Sequence, residues 1–207
     1  MKKFGKLCVI TDTVIQKKYN HVELAEMAVK GGADIIQLRD KIMPAAELID
    51  IAVKIKKICD KNNVIFIIND RTDAALISDA DGVHLGKEDI PVNDARKLLG
   101  KYKIIGATAH SLNEALKAER NGADYIGFGH IYQTHSKIKN TKPKGISELR
   151  KVCNTVKIPV FPIGGINAGN AKEVMKAGAY GIAVIGSVVK SRSPGKAVKE
   201  LRKLIYG

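Results

Sequence analysis

Eight short runs of apolar residues recur along the chain, at 7–11, 35–39, 65–69, 82–85, 104–108, 125–129, 160–163 and 181–185. Within each run the apolar residues follow one another instead of alternating with polar ones. Strands read this way when both faces are covered, as parallel strands are beneath helices. The stretches between the runs carry apolar residues at helical spacing, for example at 44–61 and 112–120. In the second of these, Leu112, Ala115, Leu116 and Glu119 fall at helical spacing. Eight strand–helix pairs in 207 residues predict an α/β fold whose parallel sheet closes on itself. The expectation is one (β/α)8 TIM barrel, a single domain over residues 1–207. An open, doubly wound sheet is the rival, and it has no need of eight similar units.

A weak internal repeat favours closure. Gly32-Ala33-Asp34-Ile35, Asp79-Ala80-Asp81-Gly82, Gly122-Ala123-Asp124-Tyr125 and Gly178-Ala179-Tyr180-Gly181 each precede an even-numbered run. Each reads as a helix stop followed by a tight entry into a strand, so the fold becomes four copies of a double (βα) unit. The lysine-rich stretch 137–145 is the longest irregular segment and a candidate mobile loop over a site.

Composition narrows the class. The chain is 45% hydrophobic and has no Trp, enough for one well-buried core. No apolar run approaches the length of a membrane span. Lys2 and Lys3 precede an apolar stretch, 7–10, that is too short for a signal-peptide core. Cys8, Cys59 and Cys153 are odd in number and far apart, which fits neither a disulfide framework nor a zinc spacing. A cytoplasmic protein with reduced thiols is expected. Most of the net charge of +14 falls after residue 130, where 15 lysines and arginines face three glutamates. With few aromatics, and with Lys196, Lys199 and Lys203 beside apolar helical stripes, solvated helix faces that steer anionic substrates explain this charge better than nucleic-acid binding does.

In a barrel of this kind the active site lies at the carboxyl ends of the strands, so position along the chain becomes readable. Gln37, Arg39 and Lys41 follow a period of two across the end of strand 2. Asn69 and Asp70 close strand 3. His84 lies within strand 4, and Asp89 in the loop after it. Thr108 and His110 follow strand 5, and His130, Thr134, Ser136 and Lys137 follow strand 6. Gly164 and Gly165 end strand 7; Gly186 and Ser187 end strand 8. Asp70 and Asp89 suit a magnesium ion, which keeps several waters and needs only one or two carboxylates besides substrate phosphate. Gly164-Gly165, with Gly186-Ser187 on the neighbouring strand, suits a barrel phosphate site. Plainer roles stay open at this point. Asp70 also reads as the cap of a helix starting at Arg71, Arg39 and Lys41 as ion-pair partners of Asp12 or Asp70, His84 as a satisfied core histidine, and Thr134 and Ser136 as loop hydroxyls. No Ser/His/Asp or Cys/His arrangement suggests a nucleophile.

Taken together, Gln37-Leu38-Arg39-Asp40-Lys41, Ile68-Asn69-Asp70-Arg71, Gly82-Val83-His84-Leu85-Gly86 with Asp89, Thr134 through Lys137, and Ile163-Gly164-Gly165-Ile166 resemble the thiamine phosphate synthase family from end to end. The resemblance implies joining of 4-amino-2-methyl-5-hydroxymethylpyrimidine diphosphate to a thiazole phosphate, with diphosphate released. The family is thought to ionise the pyrimidine to a carbocation that the thiazole nitrogen captures. By the same resemblance Arg39, Lys41, Asn69, Thr108 and Lys137 hold the diphosphate, Gln37 and His84 face the pyrimidine, and Asp70 and Asp89 bind magnesium. Thr134, Ser136, Gly164, Gly165, Gly186 and Ser187 take the thiazole phosphate. Partners are then small phosphorylated substrates, with neither nucleic acid nor membrane, in a chain that can also form a homo-oligomer. Two departures stand out. Thr108 replaces the family's usual serine, and Gly129-His130-Ile131-Tyr132-Gln133-Thr134 stands where the family often reads Gly-Pro-Ile-Phe-Pro-Thr. A histidine at that point resembles the sister family, thiazole tautomerase, in which it is the acid/base, so a tautomerase or a dual activity is the alternative.

Overall fold

A computed structural model describes residues 2, 4–134 and 142–207. Its strands are β1 (Leu7–Thr11), β2 (Ile35–Leu38), β3 (Ile65–Asn69), β4 (Gly82–Leu85), β5 (Ile104–Ala109), β6 (Tyr125–Gly129), β7 (Val160–Ile163) and β8 (Ile182–Val184). They pair in parallel in chain order, and β8 returns to β1, closing the barrel. The helices are α1 (His21–Gly31), α2 (Ala45–Lys61), α3 (Thr72–Ile77), α4 (Val92–Leu99), α5 (Leu112–Arg120), α6 (Gly145–Thr155), α7 (Ala171–Lys176), the short α8 (Gly186–Val189) and α9 (Pro194–Tyr206). The expected TIM barrel is therefore the observed fold.

Within each strand, residues alternate between the barrel axis and the helical layer. Cys8, Ile10, Ile35, Ile65, Ile67, Tyr125, Phe161 and Ala183 make one buried cluster, and Leu7, Val9, Ile36, Phe66, Val83 and Ile126 belong to another that the helices cover. Phe4 packs on Tyr125 and Phe161 with ring centroids 5.6 Å apart in both cases. In α5 the fully inward side chains are Ala115 and Ala118. Leu112 and Leu116 lie half-buried at the flanks, because alanines let the helix sit close to the sheet.

The repeat has a concrete structural role. Gly32, Gly122 and Gly178 have φ of 93°, 88° and 97°, and Asp79 takes the corresponding left-handed turn at φ 53°. The aspartate of each motif then exchanges two hydrogen bonds with the preceding odd strand. Asp34 accepts from Leu7 N–H at 2.9 Å, Asp81 from Phe66 N–H at 2.8 Å, and Asp124 from Ile105 N–H at 2.7 Å. Their own N–H groups donate to the carbonyls of the same three residues. In the fourth copy Tyr180 keeps only the backbone half, donating to the Val160 carbonyl. Arg202, Lys2 and Arg96 pair with Asp34, Asp81 and Asp124 respectively. These devices serve the strand entries and leave the opposite rim for chemistry.

Candidate active site

The inward alternation brings one polar layer to the carboxyl end of the barrel. Gln37, Asn69, His84 and Thr108 line a single cavity with Arg39, His130, Thr134 and Gly164 above, and Cys8, Tyr125 and Phe161 at its floor. About 830 Å³ of non-atom space lies within it, open solvent at its mouth included.

Two glycines make this layer possible. A Cβ at Gly127 would lie 2.8 Å from His84 Cε1, and one at Gly106 would fall inside the Tyr125 ring. With that space free, Tyr125 reaches across the barrel. Its hydroxyl lies 2.9 Å from His84 Nδ1 and also meets Gln37, while His84 Nε2 lies 2.9 Å from Thr108 Oγ1. Burial pushes the Tyr125 phenol well above its ordinary pKa, so it remains a hydroxyl that can both donate and accept. His84 is thus no isolated core histidine but a member of a hydrogen-bonded row facing the cavity. Tyr125 was not among the expected site residues. The signal that finds it is its inward position on β6, two residues before a glycine.

At the rim over β2, β3 and β4 the expected residues meet, though partly through the ion pairs that the plainer reading allows. Arg39 Nη1 is bonded to Asp12 Oδ2, and Lys41 Nζ lies 2.9 Å from Asp70 Oδ2. Asp70 does not cap a helix. Helix α3 starts at Thr72, the residue before it is Arg71, and no side chain caps it. Asp70 instead sits at φ 66°, where its carboxyl reaches both Lys41 and Asp89. Burial opposes ionisation of Asp70, but Lys41 and the bond with Asp89 outweigh it and hold its carboxyl below the usual range. Burial and the neighbouring Asp70 push the Asp89 carboxyl up, against a backbone bond from Gly86 N–H at 2.6 Å. Two carboxyls this close repel when both are ionised, so a divalent cation between them would be favoured. Among the described residues no group of three or more His, Cys, Asp or Glu side chains is placed to hold a metal; Asp70 and Asp89 are two carboxylates, a donor set of the size a magnesium ion uses when substrate oxygens and water complete its shell.

On the opposite side a second, smaller cavity is lined by Thr134, Gly164, Gly165, Ile166, Gly186 and Ser187. Gly164 and Gly165 have φ of 100° and 68°. A Cβ on the first would strike His130, and one on the second would crowd Gln133 and Tyr132. Gly186 and Ser187 open α8 rather than ending β8. The Ser187 hydroxyl is buried with no hydrogen-bond partner among the described residues, an unmet polar group of the kind an anionic ligand satisfies. Thr108 lies inside β5, not after it, and faces the cavity. His130 is 2% exposed and lines the main cavity, and its carbonyl accepts from Lys144 N–H at 2.8 Å. Ser136 and Lys137 lie outside the described residues, as does most of the stretch 137–145.

Comparison with known proteins gives the family. The family model for thiamine monophosphate synthase matches residues 7–188. The thiamine-phosphate synthase of Chlorobium phaeobacteroides is 47% identical over 97% of this chain and 96% of its own length. That of Methanocella arvoryzae is 47% identical over 96% of this chain and 94% of its own. The solved structure of thiamine phosphate pyrophosphorylase from Pyrococcus furiosus superposes with a TM-score of 0.90 at 43% identity, covering 97% of this chain and 95% of that one. A 3-hexulose-6-phosphate synthase at 21% identity and TM-score 0.73 shares the fold. The chain belongs to the thiamine monophosphate synthase family, transferases of thiamine biosynthesis.

Proposed function

We propose that the chain joins 4-amino-2-methyl-5-hydroxymethylpyrimidine diphosphate to a thiazole phosphate, forming thiamine phosphate and diphosphate. One observation carries this reading. A single apolar-floored cavity stands between two different anion stations, the Arg39/Lys41 rim beside Asp70 and Asp89, and the Gly164–Gly165 cradle with Ser187. Two phosphorylated substrates that must meet head to head need that layout.

Arg39, Lys41, Asn69, Thr108 and Lys137 hold the diphosphate, and Gln37 and His84 face the pyrimidine, with the His84 ring fixed in place by Tyr125 and Thr108. Thr134, Ser136, Gly164, Gly165, Gly186 and Ser187 hold the thiazole phosphate. The carbon–oxygen bond to diphosphate breaks with its electron pair leaving on oxygen. The thiazole nitrogen lone pair then forms the new carbon–nitrogen bond. The task of the protein is to neutralise the leaving group and align the nitrogen, which is electrostatics and positioning and requires no nucleophilic side chain. Magnesium, held by Asp70 and Asp89, would supply further charge neutralisation on the leaving diphosphate. Residues lining the cavity floor keep water from the cation once both substrates are seated. A cytoplasmic location belongs to the same proposal. Among the described residues no helix is long and apolar enough to cross a membrane. Incubation with both substrates and magnesium, with mass detection of thiamine phosphate, tests the reading. No product under those conditions, with aromatisation of thiazole phosphate present, would reverse it in favour of a tautomerase.

A second activity has an observation of its own, since His130 is buried against the same cavity as His84. His130→Asn is expected to retain most coupling of the aromatic thiazole phosphate. Any aromatisation should vanish, because an amide has no pKa near working pH. Near-complete loss of coupling with an unchanged circular dichroism spectrum would place His130 in the synthase chemistry instead.

Gly127→Ala offers a test of the interior row. The new methyl would press on a His84 ring that is tied at both nitrogens. Turnover is expected to fall by about tenfold or more, since small misplacements near a reacting centre are costly, with KM for the pyrimidine substrate rising more than KM for the thiazole. Equal kinetics for mutant and wild type would show that His84 does not set the pyrimidine's position.

A further inference from the structure

The loops after β1 and β2 are tied together by a buried network that the proposed reaction does not use. Asp40 stands between the cations Arg39 and Lys41, yet its side chain turns inward and is only 4% exposed. Its Oδ1 accepts from the N–H groups of Ile42 and Met43, both at 2.9 Å. Its Oδ2 lies 3.1 Å from His21 Nε2 and accepts from Thr13 Oγ1 at 3.3 Å. His21 is the first residue of α1, and its side chain is 1% exposed. Its Nδ1 lies 2.8 Å from the hydroxyl of Thr11, the last residue of β1. Burial opposes charge on Asp40, but the Ile42 N–H and His21 outweigh it and hold the carboxyl below its usual range. An anionic carboxylate, a histidine and two threonines thus join the end of β1, the start of α1 and the turn after β2.

Burying such a pair is expensive in desolvation, and a loop does not require it. The bonds from Ile42 and Met43 already make the turn through Oδ1 alone. What His21 adds, through Oδ2, is a link from that turn to the start of α1, a helix packed against α2 and α9. The turn begins with the residues whose side chains bind anions. In the structure Arg39 is held by Asp12, and Lys41 by Asp70. A diphosphate has to draw both cations from these carboxylates. If the backbone is free, it follows the side chains as they change partners, and part of the binding energy goes into reordering the loop. With Asp40 anchored, the side chains exchange partners over a stationary backbone, which is the meaning of preorganisation here.

We infer that His21 and Asp40 are a positioning pair for the diphosphate station, holding the backbone of residues 39–41 so that Arg39 and Lys41 converge on the same polyanion. This rests on the proposed placement of the diphosphate at Arg39 and Lys41. The test measures, on the full chain, inhibition by inorganic diphosphate, KM and kcat for each substrate, and Tm. For His21→Leu and Asp40→Asn, the inhibition constant for diphosphate should rise, and kcat/KM for the pyrimidine diphosphate should fall, each by about tenfold or more. KM for the thiazole phosphate should stay within about twofold, because its station lies across the cavity. His21→Gln, which keeps an N–H donor toward Asp40, should recover a large part of the loss. A purely structural role would lower Tm and leave diphosphate inhibition untouched, or weaken both substrates alike, and either result overturns the inference. Should His21→Leu fail to fold, Thr13→Val decides: raised diphosphate inhibition constants support the pair, and unchanged ones overturn it. Arg39→Ala, assayed in parallel, separates the two levels. If it leaves diphosphate inhibition intact, the diphosphate placement itself fails and the positioning role falls with it. If it weakens inhibition while the His21 and Asp40 variants do not, only the positioning role fails.

Discussion

Arg39→Ala is expected to slow coupling by roughly 10²-fold or more, the scale of losing one preorganised electrostatic contact in a site that excludes water. The side chain is 10% exposed and borders the main cavity, so its charge acts where the local dielectric is low. The cost will not be confined to activity. Asp12, 2% exposed, loses its cationic partner and keeps the bonds from Val14 and Ile15 N–H. Removing one member of a buried ion pair typically costs about 3 kcal/mol, so Tm should fall as well. The double change Arg39→Ala with Asp12→Asn separates the effects. Stability should recover, because no uncompensated charge remains, while turnover should stay low. Recovery of turnover along with stability would mean that Arg39 serves folding and not the diphosphate. Lys137→Ala is expected to slow the reaction on the same scale.

Asp70→Ala and Asp89→Ala should each reduce turnover by roughly 10²-fold, and a chelator should do the same to the unaltered protein until magnesium is restored. Activity indifferent to chelator would sink the metal assignment. Stability should respond differently at the two positions. The folded-state pKa of Asp89 is raised by burial and by Asp70. Its ionisation therefore opposes folding, increasingly as pH climbs past the unfolded value and through the folded one. Asp89→Asn should hold or raise Tm at neutral pH, with the difference gone in acid. Asp70 runs the other way. Its pKa is lowered, against burial, by Lys41 and the bond with Asp89, so it contributes stability above the unfolded value and loses it as pH falls through the folded one. Asp70→Asn should lower Tm slightly at neutral pH, and only slightly, because Lys41 is 53% exposed and solvent screens the pair. Tm followed against pH for both variants checks the opposite signs.

Much of this site was legible along the chain because a barrel converts sequence position into depth. Once eight unalternating runs imply covered parallel strands, a polar residue at the end of a run can only be at the rim. By that logic Gln37, Asn69, His84, Asp70 and Asp89 belong at one end of the barrel. It also isolated the Gly164–Gly165 turn, where φ above zero and the close approach of His130 leave room only for glycine. The repeated aspartates were visible as a pattern but not as a function, since their hydrogen bonds run to strands 15 to 27 positions earlier.

What sequence alone determined is the class of fold, the rim on which polar side chains gather and the family, because hydrophobic period and motif order are properties of neighbours along the chain. Tertiary structure decided who pairs with whom. It showed that Asp70 turns to Lys41 and Asp89 instead of capping α3, that Arg39 rests on Asp12, that Tyr125 bridges Gln37 and His84 through the space two glycines leave, and that His21 reaches Asp40. The physical reason is that a side chain's partner depends on a direction in space and on the volume left free. Both arise only when strands separated by tens of residues close into one ring.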